Sequence, residues 1–204
     1  MKKHIDGRTV KGLRIKQQGR ESILAAYGDL LRSGVPAPTV RQTADRAGLS
    51  LRAIFNHFPD LRALRLASFH RMQALSNEFF SEELPPGGSL AERFRQFVKK
   101  QTQRLEFVTP LHRTAAMVES VDPDVARAMQ EARAAAAREL ARALGPALRS
   151  FSEGERRALL MKLHLVCCWE SWDFLRKHYQ LSPRRACAIM TDVALAVLAT
   201  AENS

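Results

Sequence analysis

The chain has no long apolar run and few glycines or prolines, and each shortage excludes a class of protein. No segment approaches the roughly 18 uninterrupted apolar residues that a membrane-spanning helix needs. The opening residues, MKKHIDGRTVKG, carry no apolar stretch behind their positive charges, so we expect no secretory signal. The 204 residues include only 10 glycines and 9 prolines, and Val/Ile/Thr-rich alternating runs are absent. A chain dominated by Ala, Leu, Arg and Glu is predicted to be all-α.

Cysteine is scarce as well. Cys167, Cys168 and Cys187 are odd in number and two are adjacent, which argues against a disulfide framework. They lack the Cys-x-x-Cys and histidine spacings of zinc sites, so we expect no metal and no cofactor. Such cysteines are typical of small buried side chains in a reducing compartment. We therefore predict a cytoplasmic protein.

The positive charge is concentrated in the first third of the chain. The formal net charge is +11, and residues 1–70 hold 13 Lys and Arg against 5 Asp and Glu. Residues 71–204 hold 19 against 16. A basic first third fits contact with a polyanion, but a solvated basic face has the same composition. Charge alone leaves both interpretations open.

Capping residues and helix breakers predict about nine helices. The segment LPPGGS at 84–89 is the strongest break, because it can continue neither a helix nor a strand. Three N-termini have the capping-box pattern, at Thr39, Ser89 and Ser152. The predicted helices cover about 16–32, 39–47, 50–58, 59–83, 89–107, 109–121, 122–145, 152–179 and 182–201.

Two short helices within QTADRAGLSLRAIFNHF, residues 42–58, have the spacing of a helix-turn-helix. Gly48 provides the residue that tolerates a positive φ at the turn, and Ala44 is small where the helices cross. In this motif the N-terminal end of the second helix enters the major groove of DNA. Three apolar residues are expected to hold that helix against its neighbours: Leu49, Ile54 and Phe58.

The outward face of the second helix has the chemistry for reading base edges. Arg52 can donate two hydrogen bonds to guanine. Asn56 can pair with adenine or can simply be a solvated polar residue. Leu51 and Ala53 can pack against a thymine methyl group. These four residues are candidate base contacts.

Other residues of the motif suit the DNA backbone. Thr39 and Ser50 present hydroxyls and free N–H groups at helix N-termini, where phosphate binds readily. Arg41, in the first turn of its helix, can reach a phosphate or a base. His57 is either a DNA contact or a ring packed beside Phe58.

The segment TVRQTADRAGLSLRAIFNHFPDLRAL resembles the DNA-binding segment of the tetracycline-repressor (TetR) family of bacterial transcriptional regulators, over roughly residues 16–70. The resemblance implies a three-helix DNA-binding domain at 16–60. The basic residues that precede it predict a flexible arm at 1–15. It also implies a larger helical ligand-binding and dimerisation domain at 61–204. Carried over by position, the family's DNA contacts fall on Thr39, Arg41, Ser50, Leu51, Arg52, Ala53, Phe55 and His57.

Two departures from the family pattern remove backbone contacts. Phe55 replaces a Tyr whose hydroxyl bonds phosphate, and Leu61 replaces a phosphate-binding Lys. We expect the neighbouring Arg62 to restore one contact. The basic arm can compensate further by following phosphates or entering the minor groove, unless it is only a solubilising tail.

The resemblance implies a homodimer on a palindromic operator, formed through the last two long helices. The apolar stripes of these helices fit such an interface, although the same stripes would suit an internal core. The predicted interface residues are Leu159, Leu163, Val166, Ile189, Val193 and Val197.

The resemblance also implies an effector cavity inside the larger bundle, and a repressor that its effector releases from DNA. Adaptable and aromatic side chains there favour a small hydrophobic or aromatic effector, with His112 and His164 as polar groups. The predicted lining is Phe107, His112, Met117, Met129, Met161, Cys168, Trp169 and Trp172.

Other classes of function fit the sequence less well. No Gly-rich phosphate loop, HExxH motif or cysteine–histidine pairing suggests an enzyme. A basic architectural protein would not need helix-turn-helix spacing. Within the regulator class, an activator or an effector-independent regulator of the same fold is the alternative to a repressor.

Overall fold

The computed structural model describes residues 7–85 and 87–202, in which helices joined by turns and loops form the whole fold. The all-α prediction is confirmed. No helix in the described part is both long and apolar enough to cross a membrane. The helices are α1 (Gly7–Arg32), α2 (Val40–Ala47), α3 (Leu51–Phe55), α4 (Leu61–Phe79), α5 (Leu90–Ala116), α6 (Pro123–Leu144), α7 (Glu153–Cys167), α8 (Trp169–Asp173) and α9 (Pro183–Glu202).

The capping boxes predicted from sequence are present. In each box the Ser or Thr oxygen accepts from the backbone N–H three residues on, and the later Gln or Glu accepts from the cap's own N–H. These reciprocal bonds satisfy N–H groups that a helix N-terminus leaves without partners. The pairs are Thr39 with Gln42, Ser89 with Glu92 and Ser152 with Glu155.

Helix α1 begins nine residues earlier than predicted, at Gly7 rather than at residue 16. Residues 7–15 of the predicted flexible arm therefore belong to a helix, and residues 1–6 lie outside the described part. Gly12 and Gly19 do not interrupt α1, because a glycine within a helix costs only about 1 kcal/mol relative to alanine. Neighbouring residues with good helix propensity offset that cost.

Two further helix boundaries were predicted wrongly. Helix α5 continues through Pro110, and the hydroxyls of Thr109 and Thr114 bond carbonyls one turn back. The helix predicted for 152–179 instead breaks at Cys168, whose backbone is extended. The short helix α8 and a π-helical turn, Phe174–His178, follow the break. Trp172, beyond the break, is fully buried.

The described residues form two compact units, divided within α4, α5 and α6 rather than at the predicted boundary after residue 60. The first unit runs to Met72 and includes Pro110–Val125. Its core contains side chains from each of its helices, including Ile23, Tyr27, Ala44, Ile54, Phe58, Leu64 and Phe69. Thr43 is also buried there, and its hydroxyl donates to the Thr39 carbonyl at 2.8 Å.

The second unit comprises Gln73–Thr109 and the chain from Ala126 onward. Its apolar core includes Phe94, Leu140, Leu163, Trp172 and Met190. Arg93 is buried beside this core, where its guanidinium donates to the carbonyls of Ala143, Pro85 and Gly87. The loop before α5 is thus bonded to the end of α6, because a buried guanidinium requires acceptors.

Candidate nucleic-acid interface

The turn between α2 and α3 has the conformation that the helix-turn-helix prediction requires. Gly48 has φ 67° and ψ 32°, in the left-handed region where a side chain is disfavoured. Its N–H and that of Leu49 donate to carbonyls of the last turn of α2. The Ser50 hydroxyl then accepts from the Ala53 N–H at 3.2 Å and caps α3. The turn therefore ends one helix and starts the next within three residues.

Helix α3 is held by one face and leaves the other free. Ile54 and Phe58 are buried in the first unit. The nine residues predicted to contact DNA all keep solvent access: Thr39, Arg41, Ser50, Arg52, Phe55 and Asn56 are exposed, and Leu51, Ala53 and His57 are partly exposed. A helix of five residues is too short to persist alone, so packing must maintain it. The result is a rigid, outward-facing group of side chains.

Two arginines of this face have no carboxylate partner in the part of the chain that the structure describes. Neither Arg41 nor Arg52 forms an ion pair with any carboxylate in the described residues. Other arginines of the first unit do form such pairs, including Arg71 with Glu21 at 2.8 Å. Free guanidinium groups on a rigid helix can bind guanine edges or phosphate with two parallel hydrogen bonds.

The expectation that Arg62 restores a lost phosphate contact is not supported. Its Nε and Nη2 donate to the two carboxylate oxygens of Asp122 at 2.8 and 2.9 Å, and Nη2 also bonds Asp124. Phe55 is 50% exposed but has no hydroxyl, and Leu61 has no polar group. Phe55 and Leu61 therefore have no donor for the phosphate contacts that the family resemblance implies at their positions.

Asp122 accepts hydrogen bonds both from backbone N–H groups of α6 and from the Arg62 guanidinium. The two kinds of contact should affect stability differently when Asp122 is mutated. Its Oδ1 accepts from the N–H groups of Asp124 and Val125, which caps α6, while both oxygens bind Arg62. Hydrogen bonding to Arg62 holds the pKa of Asp122 below its usual value. Arg62 is 52% exposed, so solvent screens its ion pair with Asp122. We therefore expect the cap to contribute more to the free energy of unfolding than the ion pair does.

We expect Asp122→Ala to lower the free energy of unfolding by about 1 kcal/mol, the usual loss for a helix N-cap. Asp122→Asn retains an acceptor for the cap and should lose less. A carboxyl with a depressed folded pKa contributes stability above its unfolded pKa, near 3.9, and loses it as pH falls through the folded pKa. Urea unfolding of the unmodified protein and of both variants from pH 7 to pH 3 measures this, since only the unmodified protein carries the titrating carboxyl. An Asn variant as unstable as the Ala variant would show that the ion pair dominates.

The predicted dimer-interface residues fall on two sides of α7 and α9. Leu159 and Leu163 are buried in the second unit's own core, which leaves them no surface for a second copy. Val166 and Val197 are partly buried, whereas Ile189 and Val193 are exposed. Helix α7 is apolar on two faces, and only one of them packs inside the chain. The residues predicted for the interface at Leu159 and Leu163 belong to the face that packs inside.

The exposed faces of α7 and α9 border an apolar groove that was not predicted from the sequence. The groove, about 430 Å³ in volume, is lined by Leu165, Val166, Glu170, Ser171, Phe174, Leu175, Ile189, Met190 and Val193. Leu165 is 70% exposed, and Met161, one helical turn earlier, is 65% exposed. The four-residue spacing of Met161 and Leu165 was the available signal for this second face.

The predicted effector-pocket residues are divided between the two units and differ in exposure. His112 and Met117 belong to the first unit, where the His112 ring stacks on Phe69 at 5.3 Å. Met117 and Met161 are too exposed to line an interior cavity. The other five lie in the second unit. There Phe107 contacts the rings of Phe79 and Phe80, and the Trp169 indole N–H donates to Thr109. Cys168 is partly buried, and Met129 and Trp172 are buried.

The three cysteines differ in burial, and the described part holds no cluster of potential metal ligands. Cys167, Cys168 and Cys187 are unpaired there. Burial raises the pKa of the Cys167 thiol to about 12, which keeps it protonated and unreactive. The described residues contain no group of three or more His, Cys, Asp or Glu side chains placed to hold a metal ion.

The fold is similar to those of solved transcriptional regulators. No protein-family model matches the chain, and no curated protein matches its sequence. A transcriptional regulator from Rhodococcus sp. Rha1 has a TM-score of 0.69 at 17% identity, over 89% of this chain and 96% of that one. A TetR-family transcriptional regulator from Streptomyces coelicolor has a TM-score of 0.68 at 17% identity, over 91% and 82%.

A TetR-like transcriptional regulator from Rhodococcus sp. RHA1 has a TM-score of 0.61 at 16% identity, over 89% of this chain and 96% of that one. Identities this low establish the fold alone. The chain therefore has the all-α fold of TetR-family transcriptional regulators, in agreement with the resemblance of its helix-turn-helix segment.

Proposed function

We propose that this chain, which has the fold of the TetR-family regulators, is a sequence-specific DNA-binding transcriptional regulator of that family. The observation that carries the proposal is the outward face of α3, where Arg52 is exposed and unpaired within the described residues next to the capped N-terminus at Ser50. This is the arrangement with which a helix-turn-helix presents an arginine to guanine in the major groove. The role is regulatory and cytoplasmic, with no enzymatic activity assigned.

We propose further that the protein acts as a homodimer on a palindromic operator. The apolar groove supports this, because Leu165, Phe174, Ile189 and Val193 expose large apolar side chains on one side of the second unit. Exposed apolar patches of this kind often mark protein–protein interaction sites. A two-fold dimer would cover the same patch on both copies and pair two reading helices with two half-sites.

We propose repression, relieved by a small hydrophobic or aromatic effector, as the mode of regulation. Two buried polar atoms of the second unit support an internal ligand: Trp172 Nε1 and His164 Nε2 have no hydrogen-bond partner in the described residues. Burial lowers the pKa of His164, so its neutral ring would serve as a polar contact near pH 7. A ligand that bonded either atom would remove a desolvation cost.

Selection of bound fragments from the source genome tests the regulator. We expect recovery of a small set of fragments that share a palindrome with half-sites about one helical turn apart. Hydrophobic compounds that raise the melting temperature should then release the protein from these fragments. Recovery of unrelated fragments would support the architectural alternative. Specific binding that no compound weakens would support an effector-independent regulator.

A further inference from the structure

A basic cleft lies between α1 and the turn that joins α3 to α4, within the first unit. Its volume is about 400 Å³. One wall is a single turn of α1, and the other is the segment that follows α3. The residues of this basic cleft are Lys16, Gln17, Arg20, His57, Phe58, Pro59 and Ala63.

Among the residues that the structure describes, no carboxylate pairs with the cationic groups of the cleft. Lys16 and Arg20 are one helical turn apart on α1, and neither forms an ion pair within the described residues. The Arg20 guanidinium lies 4.6 Å from the centroid of the Phe58 ring. Stacking on that ring orients the guanidinium and leaves its N–H edge free to donate. Two free cations beside an imidazole form a site for a phosphate anion.

Gly19, on α1 next to Arg20, lies against the His57 ring of the cleft. A Cβ atom at Gly19 would lie 3.0 Å from His57 Nε2 and 3.3 Å from Cε1. Non-bonded heavy atoms pack best at about 3.5–4.0 Å. A Cβ atom here would therefore require the His57 ring to shift by a few tenths of an ångström. Gly19 thus allows His57 to lie directly against α1, beside Lys16 and Arg20.

The distance along α3 from its N-terminal end to the cleft is suited to a contact with the DNA backbone. His57 follows Asn56, the C-cap of α3, and Ser50 caps the other end. Seven residues at 1.5 Å each separate Ser50 from His57 by about 10 Å along the helix. The major groove is about 12 Å wide, so a helix end inserted at Ser50 brings the cleft close to the backbone at the groove edge.

We propose that the basic cleft binds one backbone phosphate of the DNA through Lys16, Arg20 and His57. This inference rests on the proposed DNA-binding function and deepens it. The contact replaces those that Phe55 and Leu61 cannot make. It assigns the compensating charge to the helical part of α1 rather than to residues 1–6.

The test compares a double variant, Lys16→Gln with Arg20→Gln, against a matched control, Arg95→Gln with Lys99→Gln. The control pair is also solvent-accessible and one turn apart on a helix, but it lies on α5. Binding to a random 30-base-pair duplex is measured by fluorescence anisotropy at several NaCl concentrations. Each lost phosphate contact should reduce the slope of log K against log salt by about 0.9, or about 1.8 for a dimer with both clefts occupied. The control should lose less than half as much.

Equal slopes of log K against log salt for the two double variants would overturn the proposal that the cleft binds a DNA phosphate. The proposed DNA-binding function would be unaffected. If the unmodified protein bound no duplex, the proposed function would be wrong. Titration with inorganic phosphate at constant ionic strength would then show whether the cleft binds a phosphate anion at all. His57 ring resonances should then shift in the control and not in the Lys16/Arg20 variant; no shift in either overturns the site. A phosphate shift combined with an unchanged DNA slope would mean that the cleft takes free phosphate, which also overturns the proposal.

Gly19→Ala separates the cleft from general damage to the fold. Alanine favours the helix, so the melting temperature should not fall. The added methyl group should displace His57 and reduce duplex affinity at low salt several-fold. Unchanged affinity together with an unchanged His57 spectrum would remove Gly19 from the proposal.

Discussion

Val193→Asp is expected to convert the proposed dimer into a monomer of 22.9 kDa at micromolar concentration. Val193 lies on the exposed side of α9 and is 47% exposed. In a two-fold interface the substitution appears twice, and each copy buries a carboxylate against apolar side chains without a partner. A loss of about 2–3 kcal/mol per copy raises the dimer dissociation constant by about 10³–10⁴.

Sedimentation velocity over a range of concentrations measures that change. Val121→Asp is the matched control, because it makes the same chemical change at a valine that is 78% exposed in the first unit. The control should remain dimeric. A Val193→Asp protein that is still dimeric would place the interface away from the apolar groove. An unaltered melting profile would exclude unfolding as the cause of dissociation.

Arg52→Ala is expected to produce the largest loss of sequence-specific DNA binding. A bidentate arginine–guanine pair contributes about 1–3 kcal/mol of discrimination, and a dimer contains two such pairs. The combined loss of about 2–6 kcal/mol weakens binding to a genome-selected fragment by about 30-fold to 10⁴-fold. Affinity for random duplex should fall much less, since backbone phosphates supply most of that binding.

Arg52→Lys distinguishes base recognition from charge. Lysine keeps the positive charge but cannot present the planar fork of guanidinium donors, so specificity should fall while random-duplex affinity remains. Arg149→Ala controls for the loss of one exposed arginine elsewhere. Equal weakening of specific and random binding by Arg52→Ala would assign this residue to a phosphate rather than to a base.

The parts of the fold that local chemistry controls were predictable. The cap at Thr39, the left-handed Gly48 and the cap at Ser50 each act within a few residues, so the sequence contains all of their determinants. The burial of Ile54 and Phe58 also followed from helical spacing. For this reason the amino-acid sequence is sufficient to locate the α2–α3 motif.

The errors arose where distant residues compete for the same side chain. The sequence placed Arg62 near the DNA backbone, but Asp122, sixty residues away, binds it. Helix α7 offers apolar residues on two faces, and both satisfy the same helical period. Only packing decides that Leu159 and Leu163 face the internal core while Met161 and Leu165 face solvent. The cleft depends likewise on contacts between Gly19 and His57 that no local pattern records.

The sequence by itself determined the all-α class, the helix-turn-helix and the identity of the side chains on its outer face, because capping, turn conformation and helical period are local properties. Tertiary structure decided which charges remain free and which apolar face remains uncovered. Arg62 is paired with Asp122 and Leu163 is buried, whereas Arg52, Lys16 and Val193 are exposed and Arg20 is partly exposed. Those are the residues through which we expect DNA and a second copy of the chain to bind.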